Sequence, residues 1–255
     1  MLGSAGRSVP RSGAGREGAK LPANAPMGSL LSVVIPCYNE EATIRRVVER
    51  VWTVPVPLEI VVVDDGSTDG TLGALAGLER EGLRVIRLPE NRGKGAALAA
   101  GFAAARGDVL VVQDADLEYD PDDLLDLLDL IRRGLADVVY GSRFGGRPQR
   151  VHMFWHKVGN RCLTFLTNLL FNTTLTDMET GYKMFRREVI AGITLRSRRF
   201  DVEPELTAKI FKTKRWRVYE VPISYYGRSY EEGKKITWRD GLVAMWTLIR
   251  YRFWD

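Results

Sequence analysis

Three short runs of β-branched and aliphatic residues, each ending abruptly in polar or acidic residues, constrain the fold of this chain most. They are Ser32 to Pro36 (SVVIP), Leu58 to Val63 (LEIVVV) and Val109 to Val112 (VLVV). Runs this short, with apolar residues at consecutive rather than alternate positions, read as strands buried on both faces. A helix is expected to open at Cys37-Tyr38-Asn39-Glu40-Glu41 and run to about Trp52, with Asn39 as N-cap and Glu40 and Glu41 in its first turn. Further strands are expected at Leu83 to Leu88 and Asp137 to Tyr140, and further helices from Gly95 to Arg106 and over 121–133. This alternation with short links predicts an α/β fold: a mostly parallel central sheet flanked by helices. In such a sheet, ligands bind beyond the carboxyl ends of the strands. Residues 29–255 would form that domain. Residues 1–28, rich in Gly, Ala, Ser, Pro and Arg, read as a disordered basic tail without the apolar block of a signal peptide.

The end of the third run carries the chemistry. Val112 is followed by Gln113-Asp114-Ala115-Asp116-Leu117-Glu118. Extended geometry would aim Asp114, Asp116 and Glu118 to one side, where three carboxylates repel unless a cation sits among them. Oxygen-only ligands favour Mg²⁺ or Mn²⁺. The alternative is an acidic cap for the helix near Pro121, which suits Asp120, Asp122 and Asp123 but not Asp114 or Asp116. Asp64-Asp65-Gly66-Ser67 allows two readings, a ligand-binding Asp65 or a plain turn, and Asp69 is a candidate helix cap. No Gly-rich dinucleotide motif follows the first strand. Arg92-Gly93-Lys94-Gly95 is not a Walker A loop, which leaves a carboxylate-bound metal to hold phosphates.

A net charge of +5, from 37 Lys and Arg against 32 acids, suits an anionic ligand or a membrane surface and does not indicate nucleic acid. Cys37 and Cys162 provide no disulfide framework and read as buried thiols in a reducing compartment. No apolar run approaches the ~18 residues of a membrane-spanning helix, so a soluble or peripheral protein is expected.

The segments VVIPCYNEE, VVVDDGSTDGT, NRGKGAAL, QDADLEYDP and YGSRF, in that order, resemble the family 2 glycosyltransferases of GT-A fold. The likeness extends over about 29–255. It is strongest to the branch of dolichyl-phosphate mannose synthases and bacterial polyprenyl-phosphate glycosyltransferases, which also show patterns like TDMETGYKMFRREV (176–189) and VPISYYGRSYEEGKK (221–235). The resemblance implies that Pro36, Tyr38 and Glu40 line a nucleotide pocket and that Asp65 binds the base or ribose. Asp114 and Asp116 match the D-x-D motif for ribose and metal. Glu118 stands where the mannose synthases usually have Gln. Arg143 would contact phosphate, and Arg228 and Lys234 would hold donor and acceptor phosphates.

The implied chemistry is inverting transfer of a hexose from GDP-mannose or a UDP-hexose, with Mg²⁺ or Mn²⁺. A hydroxyl acceptor requires a general base, for which Asp177, Asp201, Glu203 and Glu205 are candidates. The competing reading for Glu203 and Glu205 is stabilisation of a helix start, favoured for Glu205. A polyprenyl phosphate is already anionic and needs cations instead, which Arg228, Lys234 and Lys235 would supply. Val151 to Phe171 and Trp238 to Trp254 are amphipathic, with aromatic and basic residues suited to a bilayer interface. Core packing or a homo-oligomer contact is the alternative. His152 and His156 share a helix face, and His156 is an acceptor-phosphate candidate. The expectation is a peripheral protein on the cytoplasmic face of a membrane. Three rivals stand beside it: a glycosyltransferase with a hydroxyl acceptor, a nucleotidyltransferase, and a non-catalytic nucleotide- or lipid-binding module.

Overall fold

The apolar runs become strands because both of their faces are covered. The computed structural model describes residues 29–78, 80–147, 150, 154–199, 201–227 and 238–254. The expected tail over 1–28, His152, Arg228, Lys234 and Lys235 lie outside them. Strands β1 (Leu31–Cys37), β2 (Leu58–Asp64), β3 (Leu83–Arg87) and β4 (Val109–Val112) pair in parallel in the order β3-β2-β1-β4. Val33 and Ile35 of β1 and Val109 and Val111 of β4 face one core, while Val34, Leu110 and Val112 face another. An apolar residue at every position is the sequence expression of this double burial.

The first core is closed by α1 (Ile44–Trp52) and α4 (Leu124–Arg132). Each turns a stripe at i, i+3, i+4 and i+7 onto the sheet: Ile44, Val47, Val48 and Val51, then Leu124, Leu127, Leu128 and Ile131. The opposite core is closed by α3 (Lys94–Ala104), α5 (Phe154–Phe171), α7 (Val202–Lys212) and α8 (Trp238–Phe253). The short α2 (Thr71–Leu75) and α6 (Arg187–Ala191) complete the described helices.

Past β4 the sheet is mixed. β5 (Val138–Ser142) and β7 (Val218–Pro222) run parallel to each other, and β6 (Lys183–Arg186) lies antiparallel between β4 and β5. The full order is β3-β2-β1-β4-β6-β5-β7. The chain extends outward from β1 through β2 to β3, then returns to place β4 on the other side of β1. That reversal is the switch point where an open α/β sheet leaves a crevice. Because β6 is antiparallel, its amino end joins the carboxyl ends of its neighbours at this crevice.

Two local expectations change. The helix α1 starts at Ile44 with Thr43 as its flanking residue and no acid in its first turn, so Asn39 is not its N-cap. Asn39 has φ 54°, and its side chain accepts the amide of Thr68 at 2.9 Å, which holds it in the loop. Cys37 is buried as expected. Cys162 lies on the outer face of α5 and is exposed, because the buried stripe of that helix is Leu163, Thr164, Thr167 and Phe171.

Candidate active site

The loops that leave β1, β2 and β3 are bound into one rim, mostly through backbone amides. Asp64 accepts the Ser67 amide at 3.2 Å, closing the turn after β2. Ser67 Oγ in turn accepts the Asn39 amide, and Thr71 Oγ1 accepts that of Glu40, both at 2.9 Å. Glu40 also takes a hydrogen bond from the Thr43 hydroxyl at 3.0 Å. Asp69 accepts the Thr71 amide at 3.0 Å from just outside α2, whose N-cap is Gly70 and not the Asp69 expected. Asp65 is buried, and its two oxygens accept the amides of Arg92 at 2.8 Å and Gly93 at 2.7 Å. It therefore secures the loop after β3, a duty that its place in the motif did not reveal. Pro36 and Tyr38 flank this rim at the end of β1.

Gly93 continues the rim toward the far side of the site. Its φ is +90°, and a Cβ there would run into the carbonyl of Arg198. Only glycine meets both conditions. The Gly95 amide donates to that same carbonyl at 2.9 Å, which ties the start of α3 to the loop entering α7. Between the two glycines, Lys94 reaches into the site. Its ammonium lies 2.7 Å from Asp114 Oδ1 and 3.0 Å from Glu203 Oε1. Burial alone would lower the pKa of Lys94, but the carboxylates of Asp114 and Glu203 hold it above its ordinary value.

The acidic segment does not continue the strand. β4 ends at Val112, Ala115 and Asp116 form a turn, and Leu117 has φ 62°. The expected alignment of Asp114, Asp116 and Glu118 along one extended face is thereby broken. Asp114 points to Lys94. Asp116 Oδ1 accepts the Glu118 amide at 3.2 Å, and Glu118 turns inward to accept the Tyr225 hydroxyl at 2.7 Å. Among the described residues, no three of His, Cys, Asp or Glu converge as a preformed metal cage. Asp120 accepts the Asp122 amide as the acidic-cap reading requires, whereas Asp123 is buried and receives the Ser224 amide at 2.6 Å from across the sheet end.

Beyond β4 the carboxylates are held by cations. Arg143, just past β5, grips Asp177 through Nε and Nη2, both at 2.7 Å. Burial opposes ionisation of Asp177, but the guanidinium keeps its pKa below the usual carboxylate range. Asn160 of α5 also donates to Asp177, at 2.9 Å. His156 lies one turn earlier on α5 and is half-buried. Glu203 pairs with Lys183 at 2.6 Å as well as with Lys94, and Lys183 is fully buried. Glu205 collects the amides of Arg196 at 2.9 Å and Ser197 at 2.6 Å together with the Lys209 ammonium at 2.6 Å. Both glutamates thus have tertiary partners and do more than stabilise a helix start.

Glu179 is within the electrostatic reach of both ion-paired groups. Burial pushes its pKa up to about 7, opposed chiefly by Lys183, with Glu203, Arg143 and Asp177 also acting on it. Lys94, Lys183 and Glu179 are the site groups that sequence reasoning missed. Lys94 stood in the NRGKG segment, which entered the family resemblance and failed to match a phosphate loop but received no role for its lysine.

The same chain shows clear likenesses to known proteins. Residues 32–194 match the family described as Glycosyl transferase family 2. The chain is 31% identical over 219 residues to the dodecaprenyl-phosphate galacturonate synthase of Rhizobium johnstonii, covering 83% of this chain and 63% of that protein. It is 35% identical over 209 residues to the polyprenol monophosphomannose synthase of Mycolicibacterium smegmatis, covering 77% of each. The architecture aligns with glucosyl-3-phosphoglycerate synthase from Mycobacterium tuberculosis, solved with Mn²⁺, UDP-glucose and phosphoglyceric acid. That alignment has a TM-score of 0.67 and 25% identity, over 88% of this chain and 80% of that one. A mixed seven-stranded sheet with its loops gathered at the β1/β4 reversal, together with these matches, makes the protein a GT-A-fold member of glycosyl transferase family 2.

Proposed function

We propose that this protein is a metal-dependent, inverting transferase that moves a hexose from GDP-mannose or a UDP-hexose to a polyprenyl or dolichyl phosphate. The observation that carries the acceptor is the state of the carboxylates. Asp177 is locked by Arg143, Glu203 by two ammonium groups, and Glu205 by two amides and Lys209, while Asp201 accepts the Arg199 amide at 3.0 Å. Groups so engaged are poor proton acceptors. A phosphate monoester is already anionic and needs none.

The donor would lie over the reversal between β1 and β4, with Pro36, Tyr38, Glu40 and Asp65 around the nucleotide and Asp114 toward the ribose. The acidic segment fits a hard divalent ion. Mg²⁺ typically uses one or two carboxylates and completes its shell with phosphate oxygens and water, and Asp116 with Asp114 supplies that number while Glu118 holds Tyr225. Such an ion, when bound, would offset the charge gathering on the departing nucleoside diphosphate. Arg228 and Lys234, which lie outside the described residues, are assigned the same purpose. Lys235 and His156 are assigned to the acceptor phosphate, whose oxygen attacks the anomeric carbon as the diphosphate leaves the opposite side. Arg143, committed to Asp177, serves chiefly to shape the pocket.

The lipid reading is supported by α5 and α8, which pack together and expose Trp155, Phe165, Leu169, Trp246, Phe253 and the adjoining Trp254. Arg161 and Arg250 are exposed on the same helices. Exposed rings beside cations suit the headgroup region of a bilayer, consistent with peripheral attachment at the cytoplasmic face. Among the described residues, no helix is long and apolar enough to cross a membrane.

The test supplies radiolabelled GDP-mannose and UDP-hexoses, Mn²⁺ and a short polyprenyl phosphate, then extracts with organic solvent. Label in the organic phase, with release of nucleoside diphosphate, is expected. Label confined to a water-soluble product would instead support a hydroxyl acceptor. One observation favours that second reading: Glu179 Oε1 is buried without a hydrogen-bond partner among the described residues, and burial pushes its pKa up to about 7, which suits a base. Release of pyrophosphate would indicate nucleotidyl transfer.

A further inference from the structure

We propose that Glu203 is a positioning residue for the donor site, fixing the carboxylate of Asp114 through the ammonium of Lys94, and that it does not act as a general base. The inference rests on the donor-site reading above and assigns it a residue that neither the D-x-D motif nor its neighbours contain.

The argument starts from the backbone. Lys94 is the first residue of α3, and the glycines on either side press against the loop that leads into α7. The hydrogen bond from the Gly95 amide to the Arg198 carbonyl, at 2.9 Å, fixes the origin of the Lys94 side chain relative to α7. Glu203 lies in the first turn of α7 and is buried. Its two oxygens divide between two cations, Oε1 at 3.0 Å from Lys94 and Oε2 at 2.6 Å from Lys183. Lys183, at the start of β6, also donates to the Thr180 carbonyl, so Glu203 is held from the sheet side. Lys94 then passes this constraint to Asp114 Oδ1 at 2.7 Å.

Asp114 is also confined from the opposite side. Gly181 lies against Asp114 Oδ2 so closely that a Cβ there would collide with the oxygen. The Gly181 amide donates to the Tyr119 hydroxyl at 2.8 Å, which holds this wall in place. One carboxylate oxygen is thus held by charge and the other by shape. The group of Lys94, Lys183, Asp114 and Glu203 carries no net charge, so the order is obtained without an unpaired buried ion. A carboxylate bridging two ammonium groups is well suited to aim a neighbour and poorly suited to accept a proton.

The experiment measures binding directly. UDP and GDP, each with Mn²⁺, are titrated calorimetrically into the full-length wild type, Glu203→Gln, Lys94→Met and the double variant, with thermal unfolding confirming that each is folded. Each single variant is expected to weaken binding of the preferred nucleotide by about tenfold, in the range for groups that orient a metal-site ligand. The double variant is expected to lose about the same tenfold, because both substitutions interrupt one chain of contacts. Wild-type affinity in Glu203→Gln, or a loss of about a hundredfold in the double variant as the product of independent effects, would overturn the proposal. If Glu203→Gln does not fold, because Lys183 is left buried without its anion, Lys183→Met/Glu203→Gln restores neutrality and carries the same expectation. Turnover at saturating donor should stay within about threefold of wild type in Glu203→Gln, whereas loss of a general base would cost about a hundredfold or more in kcat. If the wild type binds neither nucleotide in the presence of Mn²⁺, the donor-site reading fails first and the inference with it.

Discussion

The two halves of the site hold their acids by different means. In the first half, from β1 to β3, carboxylates accept backbone amides: Asp64 that of Ser67, Asp69 that of Thr71, and Asp65 those of Arg92 and Gly93. In the second half, from β5 to α7, they pair with cations: Asp177 with Arg143, Glu203 with Lys94 and the fully buried Lys183, and Glu205 with Lys209 beside two amides. Amide-held acids rigidify loops without placing an opposing side-chain charge beside them. Cation-held acids instead fix the cations opposite them, within groups that carry no net charge. Such pairs recover the cost of desolvation only while both partners remain. The first half is therefore expected to tolerate damage better than the second.

Substitutions can break or sharpen this contrast. The largest effect belongs to the junction of the halves: Asp116→Ala is expected to lower turnover by at least about a hundredfold, measured as lipid-linked product, with thermal unfolding little changed. Next is the second half's own pair. Asp177→Asn leaves Arg143 buried beside a neutral group and should cost about 3–5 kcal/mol, read as a fall of about 10 °C in Tm. Asp65→Ala, in the first half, removes two charge-assisted amide bonds and should cost less, about 2 kcal/mol by denaturant titration. If Asp65→Ala costs more than Asp177→Asn, the contrast drawn here is wrong.

A pH dependence tests the second half further. The pKa of Glu179 is raised from 4.5 to about 7 by burial, so its protonated form is the one the fold favours. The stability tied to that proton is fully present below the ordinary carboxylate range and is lost as pH rises through about 7. Glu179→Gln should therefore have a higher Tm than wild type at pH 8, with the gap closing by pH 5. The smallest effect on folding is expected outside both halves. Trp155→Ser and Trp246→Ser remove exposed rings, should change stability by no more than about 0.5 kcal/mol, and should reduce sedimentation with anionic lipid vesicles.

The same contrast explains what the sequence disclosed. Some amide-held acids sit in turns of contiguous residues, so Asp69 taking the Thr71 amide and Asp120 capping Asp122 could be read locally, whereas Asp65 reaches across to Arg92 and Gly93. The strands were equally legible, since double burial writes itself as unbroken apolar runs in β1, β2 and β4. Cation-held acids join distant parts of the chain: Lys94 and Glu203 are separated by the whole of β4 to α6. No local pattern announces such a pair. The antiparallel β6 was hidden for a similar reason, because its pairing depends on where α5 returns the chain. The acidic segment misled by its spacing: alternate acids suggest an extended face, but the positive φ at Leu117 turns Glu118 toward Tyr225. The helices α5 and α8 pack one face in the core, as one of the two readings of their amphipathic sequence had it, and leave the other face exposed.

The central claim is that the nucleotide and its metal meet at the ends of β1 and β4, with Asp116 as a ligand. The most direct measurement is anomalous scattering from Mn²⁺ in crystals grown with UDP or GDP. The account predicts a peak within ligation distance of the Asp116 carboxylate and of the diphosphate, and its absence in Asp116→Ala. A peak seated instead among Asp177, Glu179 and Glu203, or a nucleotide bound away from Tyr38 and Asp65, would contradict it.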